Sequence, residues 1–346
     1  FCNSLDKIYN YIEKYIKIYL NEKKSLNLSK NTLLTYSNIL NDFSEYYRSY
    51  YEELSLEKIT KAFIISFLDF KGLSPSSKNL YSTVLKNFFT YLEKNSYTAI
   101  DIKKSLSDLN HKVMKRSPEA LTQFEYDQIL HWFEKESSKK RRSFYSYRNA
   151  FIMKLLLLTG VRASELLSLK AEDFTAMFSK EDQSIFKIKI MGKGNKERYV
   201  YILKESIEAE FLFLQHHLQQ LNQQNSHSSD IQKRKRANVK KQLISSSLSD
   251  TQSSSTASSV SKNHLCMTKE GRVLLRSELY LGVNSFLKHQ GISKRGVHML
   301  RHSFGKYMVR KNINLSTIKD LMGHENIQTT MIYARSDEES MIRAVV

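Results

Sequence analysis

The sequence predicts a mainly helical protein with a small β-hairpin or sheet, an α+β chain of two domains. Prolines are scarce, with two among 346 residues, and leucine-rich runs repeat at helical spacing. One stretch alternates apolar and polar residues on either side of two glycines, which is typical of a β-hairpin. The chain is long enough for two hydrophobic cores, and its 41% of hydrophobic residues is ordinary for a globular protein.

The charge balance is strongly basic. Lys and Arg number 54 against 35 Asp and Glu, a formal charge of +19 that predicts a polyanionic partner such as nucleic acid or an anionic membrane. Lys154 interrupts the longest apolar run, so we expect no transmembrane helix, and the first residues lack the pattern of a signal peptide. Cys2 and Cys266 offer neither a disulfide framework nor a metal-binding spacing, which indicates a reducing, intracellular compartment.

Residues 1–105 predict a bundle of about four helices. Ser29 is the expected N-cap of one helix, and Ser74 that of another, with Pro75 at its first position. The first helix carries an apolar stripe made of Leu5, Ile8, Ile12, Tyr15, Ile16 and Tyr19. Residues 106–120 are the predicted linker to a second domain, residues 121–346.

Local sequence signals also predict where helices and a turn begin or end in the second domain. Thr122 and Glu125 form a predicted capping box, and a helix is expected to end at Gly160. The hairpin turn is expected at residues 192–195.

Residues 222–262 have a different composition, with 13 serines and no Gly, Pro or aromatic residue. They predict a flexible insertion that holds one short basic helix. Its basic residues Lys233, Arg234, Lys235 and Arg236 are candidate DNA contacts; a solvated surface is the alternative interpretation.

The stretch "HMLRHSFGKYMVRKN" begins at His298 and predicts a helix. His298 and Arg301 lie three residues apart, so they project side by side. Such a face suits a phosphate, because arginine supplies a rigid two-pronged donor and histidine a further donor or a base. A pair on a solvated helix surface is the plainer alternative.

Further candidates flank this stretch in the sequence. Gly323 is expected to end a helix that starts after Ser316; His324 follows it, and Tyr333 is placed on a further short helix. Upstream, Arg162 opens a helix after Gly160, and Glu165 is spaced to hold its guanidinium. Lys193 lies at the predicted hairpin tip, from which a long amine reaches into a groove.

Together, the ordered motifs TGxR, GKGNK, HxxRH, GH and Tyr over residues 159–333 resemble the catalytic domain of tyrosine recombinases, the phage integrases, and their Xer-like branch in particular. "LSKNTLLTYSNILNDFSEYY" and "LYSTVLKNFFTYLEKN" are similar to that family's N-terminal core-binding domain. The resemblance implies a C-shaped clamp around duplex DNA. It also implies a nucleophile, Tyr333, a supporting Glu165 and an activating set made of Arg162, Lys193, His298, Arg301 and His324.

The implied function is site-specific recombination, in which DNA is cleaved and rejoined through a 3′-phosphotyrosine with no metal and no cofactor. Four protomers would act on two DNA sites in the cytoplasm, at the nucleoid. Either chromosome-dimer resolution or the integration and excision of a mobile element fits. The alternatives are a type IB topoisomerase, a non-catalytic DNA-binding protein and a metal-dependent nuclease.

Overall fold

The computed structural model describes residues 11–50, 59–97, 109, 111–112, 118–192, 194, 196–242 and 263–334. The chain divides into two compact units, Phe1–Arg116 and Ser117–Val346, and this division falls within the predicted linker segment. Helices dominate the described residues, with one three-stranded antiparallel sheet, as the predicted fold class requires. Among these residues, no helix combines the length and apolarity needed to cross a membrane.

The first unit contains four described helices, α1 to α4, with a core rich in aromatic rings. Phe43 is fully buried and lies edge-on to Phe63, Phe67 and Phe89, the arrangement that aromatic rings favour. Ser29 and Ser74 cap helices as expected. Ile12, Tyr15, Ile16 and Tyr19 of the predicted stripe are buried, whereas Leu5 and Ile8 lie outside the described residues. The helices are Tyr11–Ser25 (α1), Lys30–Tyr50 (α2), Lys61–Phe70 (α3) and Pro75–Lys94 (α4).

The second unit begins with the capping box of Thr122 and Glu125, which is present as predicted. Its helix α6 is buried along most of its length and forms the centre of the unit. The elements that precede the sheet are α5 (Gln123–Ser137), α6 (Phe144–Thr159) and α7 (Ala163–Ser168). Those after the sheet are α8 (Lys204–Gln242), α9 (Arg276–His289), α10 (Val297–Arg310), α11 (Leu315–Met322) and α12 (Gln328–Met331).

The sheet has the order β1 (Phe174–Phe178), β2 (Ser184–Met191), β3 (Glu197–Leu203). The predicted hairpin is β2 and β3, whose pairing ends at Met191 and Glu197. Strand β1 was not predicted. It is a short edge strand with four of its five residues exposed, so its sequence carries no alternation of buried and exposed side chains.

The basic helix expected within residues 222–262 is present but longer than expected: residues 222–242 form the second half of the 39-residue helix α8, so this part of the insertion is not a flexible segment. The physical reason is that residues 204–242 contain no Gly or Pro, so nothing in this stretch ends the helix. Residues 243–262 lie outside the described residues, as do the side chains of the predicted DNA contacts Lys233, Arg234, Lys235 and Arg236.

Two features hold α10 in its place within the second unit. Gly160 ends α6 in the left-handed conformation, with φ of 63°, and a Cβ at this position would collide with the ring of Phe304 on α10. The main-chain N–H of Leu121 donates to the Ser303 hydroxyl at 2.8 Å, and Tyr126 stacks on Tyr307 with ring centroids 4.5 Å apart. These contacts with the end of α6, with Leu121 and with Tyr126 fix the position of the helix that carries His298 and Arg301.

Candidate active site

The C-terminal end of α11 gathers three arginines from separate parts of the chain. The last carbonyls of a helix have no partner within it, and the helix dipole is negative at this end, so cations are favoured there. Three successive carbonyls are used: Arg198 Nε donates to Leu321 at 3.1 Å, Arg301 Nη2 to Met322 at 2.5 Å and Arg162 Nη2 to Gly323 at 2.7 Å. The three guanidinium groups consequently lie beside one another.

Glu165 is the carboxylate that binds two of these arginines. Its Oε1 accepts from Arg162 at 2.8 Å, and both of its oxygens accept from Arg198, at 2.8 and 2.7 Å. Burial by itself raises the pKa of Glu165, but the hydrogen bonds from Arg198 and from the main chain of Arg162 outweigh it and lower the pKa. Glu165 is therefore ionised at neutral pH, and it orients both guanidinium groups.

Arg301 is the most deeply buried of the three arginines, with 5% of its surface exposed. Its Nη1 donates to the carbonyl of Gly160, so main-chain oxygens hold both ends of the guanidinium. Burial, and then the proximity of Arg162, lowers the pKa of Arg301 to about 10, so it stays charged at neutral pH. Three cations against one carboxylate leave excess positive charge, which suits an anion such as a phosphate.

Two of the predicted histidines lie at the same cluster. His324 follows Gly323, and its Nδ1 is 2.8 Å from the Thr330 hydroxyl; burial, then Arg301 and Arg162, lowers its pKa to about 4. His298 is exposed at the start of α10, and partial desolvation, then Arg276 and Arg301, lowers its pKa. Within the described ranges, no group of three His, Cys, Asp or Glu residues is arranged to hold a metal ion.

Tyr333 lies in the turn two residues beyond the end of α12, so its expected position on a helix is wrong. Its side chain packs with Phe304, Ile318 and Met322, and 4% of its surface is exposed. Burial raises the pKa of Tyr333 to about 12, while the charges of Arg301 and Arg162 pull it in the opposite direction. The phenol is therefore protonated at neutral pH but lies within the field of the arginine cluster.

An open cleft of about 780 Å³ borders this cluster, and Arg162, Arg198 and His324 are among the residues that line it. Gly192, at the end of the hairpin, lines the same cleft. Lys193 is the next residue, and it lies outside the described residues. Arg162 and Arg198 therefore border the cleft, whereas Arg301 is not among its lining residues.

Two residues at the site were not predicted from the sequence. One is Arg198, which the sequence could have indicated. Arg198 and the buried Val200 and Ile202 occupy alternate positions along β3, so they lie on the same face of the strand. A charged side chain on a buried face needs a partner. The other is His302, whose Nδ1 lies 2.7 Å from the Tyr333 hydroxyl. The family resemblance had placed His298, and not His302, in the activating set.

The phage integrase family model matches residues 119–340, which is most of the second unit. Among similar proteins, tyrosine recombinase XerH of Helicobacter pylori is 27% identical over 93% of this chain and 81% of its own length. Tyrosine recombinase XerD of Rickettsia conorii is 28% identical over 97% of both chains.

The fold is similar to that of solved recombinases. A XerH site-specific recombinase bound to its palindromic difH substrate matches with a TM-score of 0.69 at 22% identity, over 99% of this chain and 96% of that chain. A lambda integrase dimer bound to a COC′ core site matches with a TM-score of 0.60 at 15% identity, over 94% of this chain and 95% of that chain.

A helical fold of this kind, matched along nearly its whole length by recombinases, defines the class of protein as a tyrosine recombinase, an enzyme of site-specific recombination. The chain belongs to the phage integrase family, and within it to the Xer-like type.

Proposed function

We propose that this protein cleaves and rejoins duplex DNA at a specific site through a 3′-phosphotyrosine on Tyr333. The observation that carries the proposal is the gathering of Arg162, Arg301 and His324 at the end of α11, with Tyr333 within the electrostatic field of the two arginines. A phosphodiester is an anion that repels nucleophiles, and a preorganised set of donors compensates this repulsion.

In the proposed reaction, Arg162 and Arg301 bind the non-bridging oxygens of the scissile phosphate, and His324 donates a further hydrogen bond. The Tyr333 oxygen forms a bond to phosphorus as the bond to the 5′-oxygen breaks. His298 takes the phenolic proton, and Lys193 gives a proton to the departing 5′-oxygen. Glu165 supports the site by holding Arg162. A 5′-hydroxyl from another strand then attacks the phosphotyrosine and reseals the DNA.

The proposed partner is duplex DNA, bound by a core-binding domain, 1–105, and a catalytic domain, 121–346, with the linker 106–120 between them. The formal charge of +19 supports this partner, because each phosphate neutralised by Lys or Arg releases counterions. We propose four protomers on two DNA sites, acting at the nucleoid in the cytoplasm. The biological role is either the movement of a genetic element or the resolution of chromosome dimers, and the long insertion favours the first.

The proposal is tested by recovering DNA that remains attached to the protein under denaturing conditions in its native cells. We expect the wild type to yield one enriched site. Tyr333→Phe, which keeps the ring and loses only the nucleophilic oxygen, should yield none while still binding DNA. Tyr280→Phe is the matched control, because Tyr280 is an exposed residue on α9. A covalent adduct with Tyr333→Phe would refute the assignment.

The recovered site then separates the competing functions. Two labelled duplexes that carry it should exchange strands if the protein is a recombinase. A type IB topoisomerase would relax supercoiled DNA without exchange, and a non-catalytic DNA-binding protein would do neither. EDTA should leave cleavage intact. Loss of cleavage in the presence of EDTA would favour a metal-dependent nuclease.

A further inference from the structure

The hydroxyl of Tyr333 is hydrogen-bonded to His302 rather than to His298. The Nδ1 atom of His302 lies 2.7 Å from the hydroxyl oxygen. His298 and His302 are four residues apart on α10, so they share one face of the helix at a separation of about 6 Å along its axis. The nucleophile thus lies about one helical turn from the histidine that the reaction assigns to it.

Gly305 shapes the space that the tyrosine ring occupies. A Cβ on Gly305 would lie 2.8 Å from Cε2 of Tyr333 and 2.9 Å from its Cδ2, which is closer than such atoms approach. Gly305 is three residues beyond His302, so the ring rests on the same face of α10 on which His302 binds the hydroxyl. Gly305 therefore leaves room for the ring of Tyr333, and His302 binds its hydroxyl.

Both members of the hydrogen bond are neutral near pH 7. Burial, and then His298 and Arg301, lowers the pKa of His302 to about 4, while burial raises that of Tyr333 to about 12. In the tautomer with the proton on Nε2, the neutral imidazole of His302 accepts the phenolic hydrogen at Nδ1, and this contact stabilises the protonated phenol, which is the poorer nucleophile. In addition, a side chain that is 4% exposed is covered against a phosphate arriving from solvent.

We propose that His302 and Gly305 form a resting slot for Tyr333, and that cleavage requires the hydroxyl to leave His302 and move about one helical turn toward His298 and Arg301. The inference rests on the proposed role of Tyr333 as the nucleophile. His302 is in this view a positioning residue that keeps the tyrosine unreactive until DNA is engaged. Loss of the slot should release the side chain even without DNA.

The first test measures the accessibility of Tyr333 without DNA, by nitration with tetranitromethane and mass spectrometry. Trypsin yields the peptide 320–335, in which Tyr333 is the single tyrosine. The wild type should be nitrated there at least about tenfold more slowly than at the exposed Tyr280, and Gly305→Ala should remove most of this difference. Gly282→Ala is the matched control, since Gly282 also lies within a helix and a Cβ there meets nothing within 4 Å.

The second test separates the hydrogen bond from the packing. His302→Leu removes the acceptor, whereas His302→Asn places an amide oxygen close to the position of Nδ1. We expect faster nitration of Tyr333 in His302→Leu and wild-type protection in His302→Asn. Equal protection in the wild type, Gly305→Ala and His302→Leu would overturn the proposal, as would nitration of wild-type Tyr333 at the rate of Tyr280.

Cleavage of a single-site duplex gives the functional outcome. His302→Leu and Gly305→Ala should form the covalent adduct severalfold faster than the wild type, and His302→Asn at the wild-type rate. A loss of about a hundredfold in His302→Leu would instead make His302 the base that takes the proton, and would overturn its role as a resting contact. Nitration measures accessibility and does not depend on catalysis. If Tyr333 is not the nucleophile, the cleavage experiment fails while the nitration result still stands, so the two hypotheses are tested separately.

Discussion

Arg301 is held by two main-chain carbonyls, those of Gly160 and Met322, at the two ends of one guanidinium. A lysine ammonium is a point charge and cannot span both carbonyls while facing a phosphate. We therefore predict that Arg301→Lys slows formation of the covalent adduct by at least about a hundredfold at saturating DNA. The measurement is the single-turnover cleavage rate. Near-normal cleavage would mean that Arg301 does not bind the scissile phosphate.

Glu165 gives a prediction about stability and pH. Its pKa in the folded protein lies below the reference value of 4.5, so its contribution to stability is complete above that pH and is lost as the pH falls through the lower folded value. Glu165→Gln should lower the free energy of unfolding by about 3 kcal/mol at pH 7, because Arg162 and Arg198 lose their buried counterion. Melting temperatures of both proteins should converge as the pH falls below that reference value.

The control for this prediction is Glu172→Gln. Glu172 pairs with Lys170 at the surface, where an ion pair contributes little. We expect only a small change in melting temperature at pH 7. A difference between wild type and Glu165→Gln that does not vary between pH 7 and pH 3.5 would contradict the assigned ionisation of Glu165.

Arg162, Arg301 and His324, which the structure brings together, were candidates from the sequence because their motifs resemble those of a known family in order and spacing; their catalytic roles stay predictions. The contacts of Arg198 and His302 could not be predicted from the sequence. Arg198 meets Glu165 across 33 residues and Leu321 across 123, while His302 meets Tyr333 across 31. Such pairs depend on how separate elements pack, and no local pattern in the chain encodes the distance between them.

At the scale of elements, two features of Gly323 at the end of α11 require a glycine: its backbone conformation and the close approach of a side chain. This residue has a φ of 63°, and a Cβ on it would lie 2.9 Å from Cδ of Arg198. Gly323→Ala should therefore cost about 1 kcal/mol of backbone strain and also displace an arginine of the site. Gly291→Ala is the matched control, since Gly291 has a φ of 73° with nothing within 4 Å of the added atom.

We expect both alanine variants to melt at lower temperature, but only Gly323→Ala to lose cleavage, by about tenfold or more at saturating DNA. Comparable cleavage in the two variants would show that the arginines tolerate a shift of the α11 end. The contrast separates loss of stability from loss of geometry.

The predicted and observed ends of helices and strands show which sequence signals are sufficient to predict an element boundary. The caps at Ser74, Thr122 and Gly323 were predicted because each depends on a few adjacent residues. Helix α8 extends farther than predicted because serine-rich composition was taken as a sign of flexibility, although serine by itself does not end a helix. Strand β1 was missed because pairing with β2, rather than its own pattern, defines it.

Helix α8 also refines the prediction about the basic insertion. On the helical backbone of α8, adjacent positions belong to different faces, so the four consecutive positions 233–236 do not share one face. Lys233, Arg236 and Lys240 do share a face, at spacings of three and four residues. Replacing these three by glutamine should reduce the slope of log affinity against log salt by up to about 3.

The matched control replaces Arg234, Lys235 and Lys241 by glutamine, which removes the same charge from other faces of α8. Its effect on the salt dependence should be smaller, and the cleavage rate at saturating DNA should be unchanged in both triple variants. Equal slopes in the two variants would mean that the helix contributes through its net charge alone.

At the scale of the whole molecule, the proposed action of four protomers on two DNA sites would require the protomers to assemble before they cut. Residues 335–346, which include the segment "SDEESMIRAVV", lie outside the described residues, but their composition suggests how assembly is achieved. The segment begins with acidic residues and ends with Met341, Ile342, Ala344, Val345 and Val346. Apolar residues concentrated in this way are unfavourable in water unless they pack against another surface.

We hypothesise that this segment docks on a neighbouring protomer, because it follows Tyr333 directly and docking there would link assembly to the position of the nucleophile. Truncation after Asp337 should leave binding to one DNA site nearly unchanged and reduce the pairing of two sites by about tenfold or more. Sedimentation of the protein with one-site and two-site DNA measures both quantities. Replacing Met341 and Ile342 by serine tests the same contact with the chain length kept. If the truncated protein pairs two sites as well as the full chain does, the segment folds back on its own domain and the four protomers are held together by other surfaces.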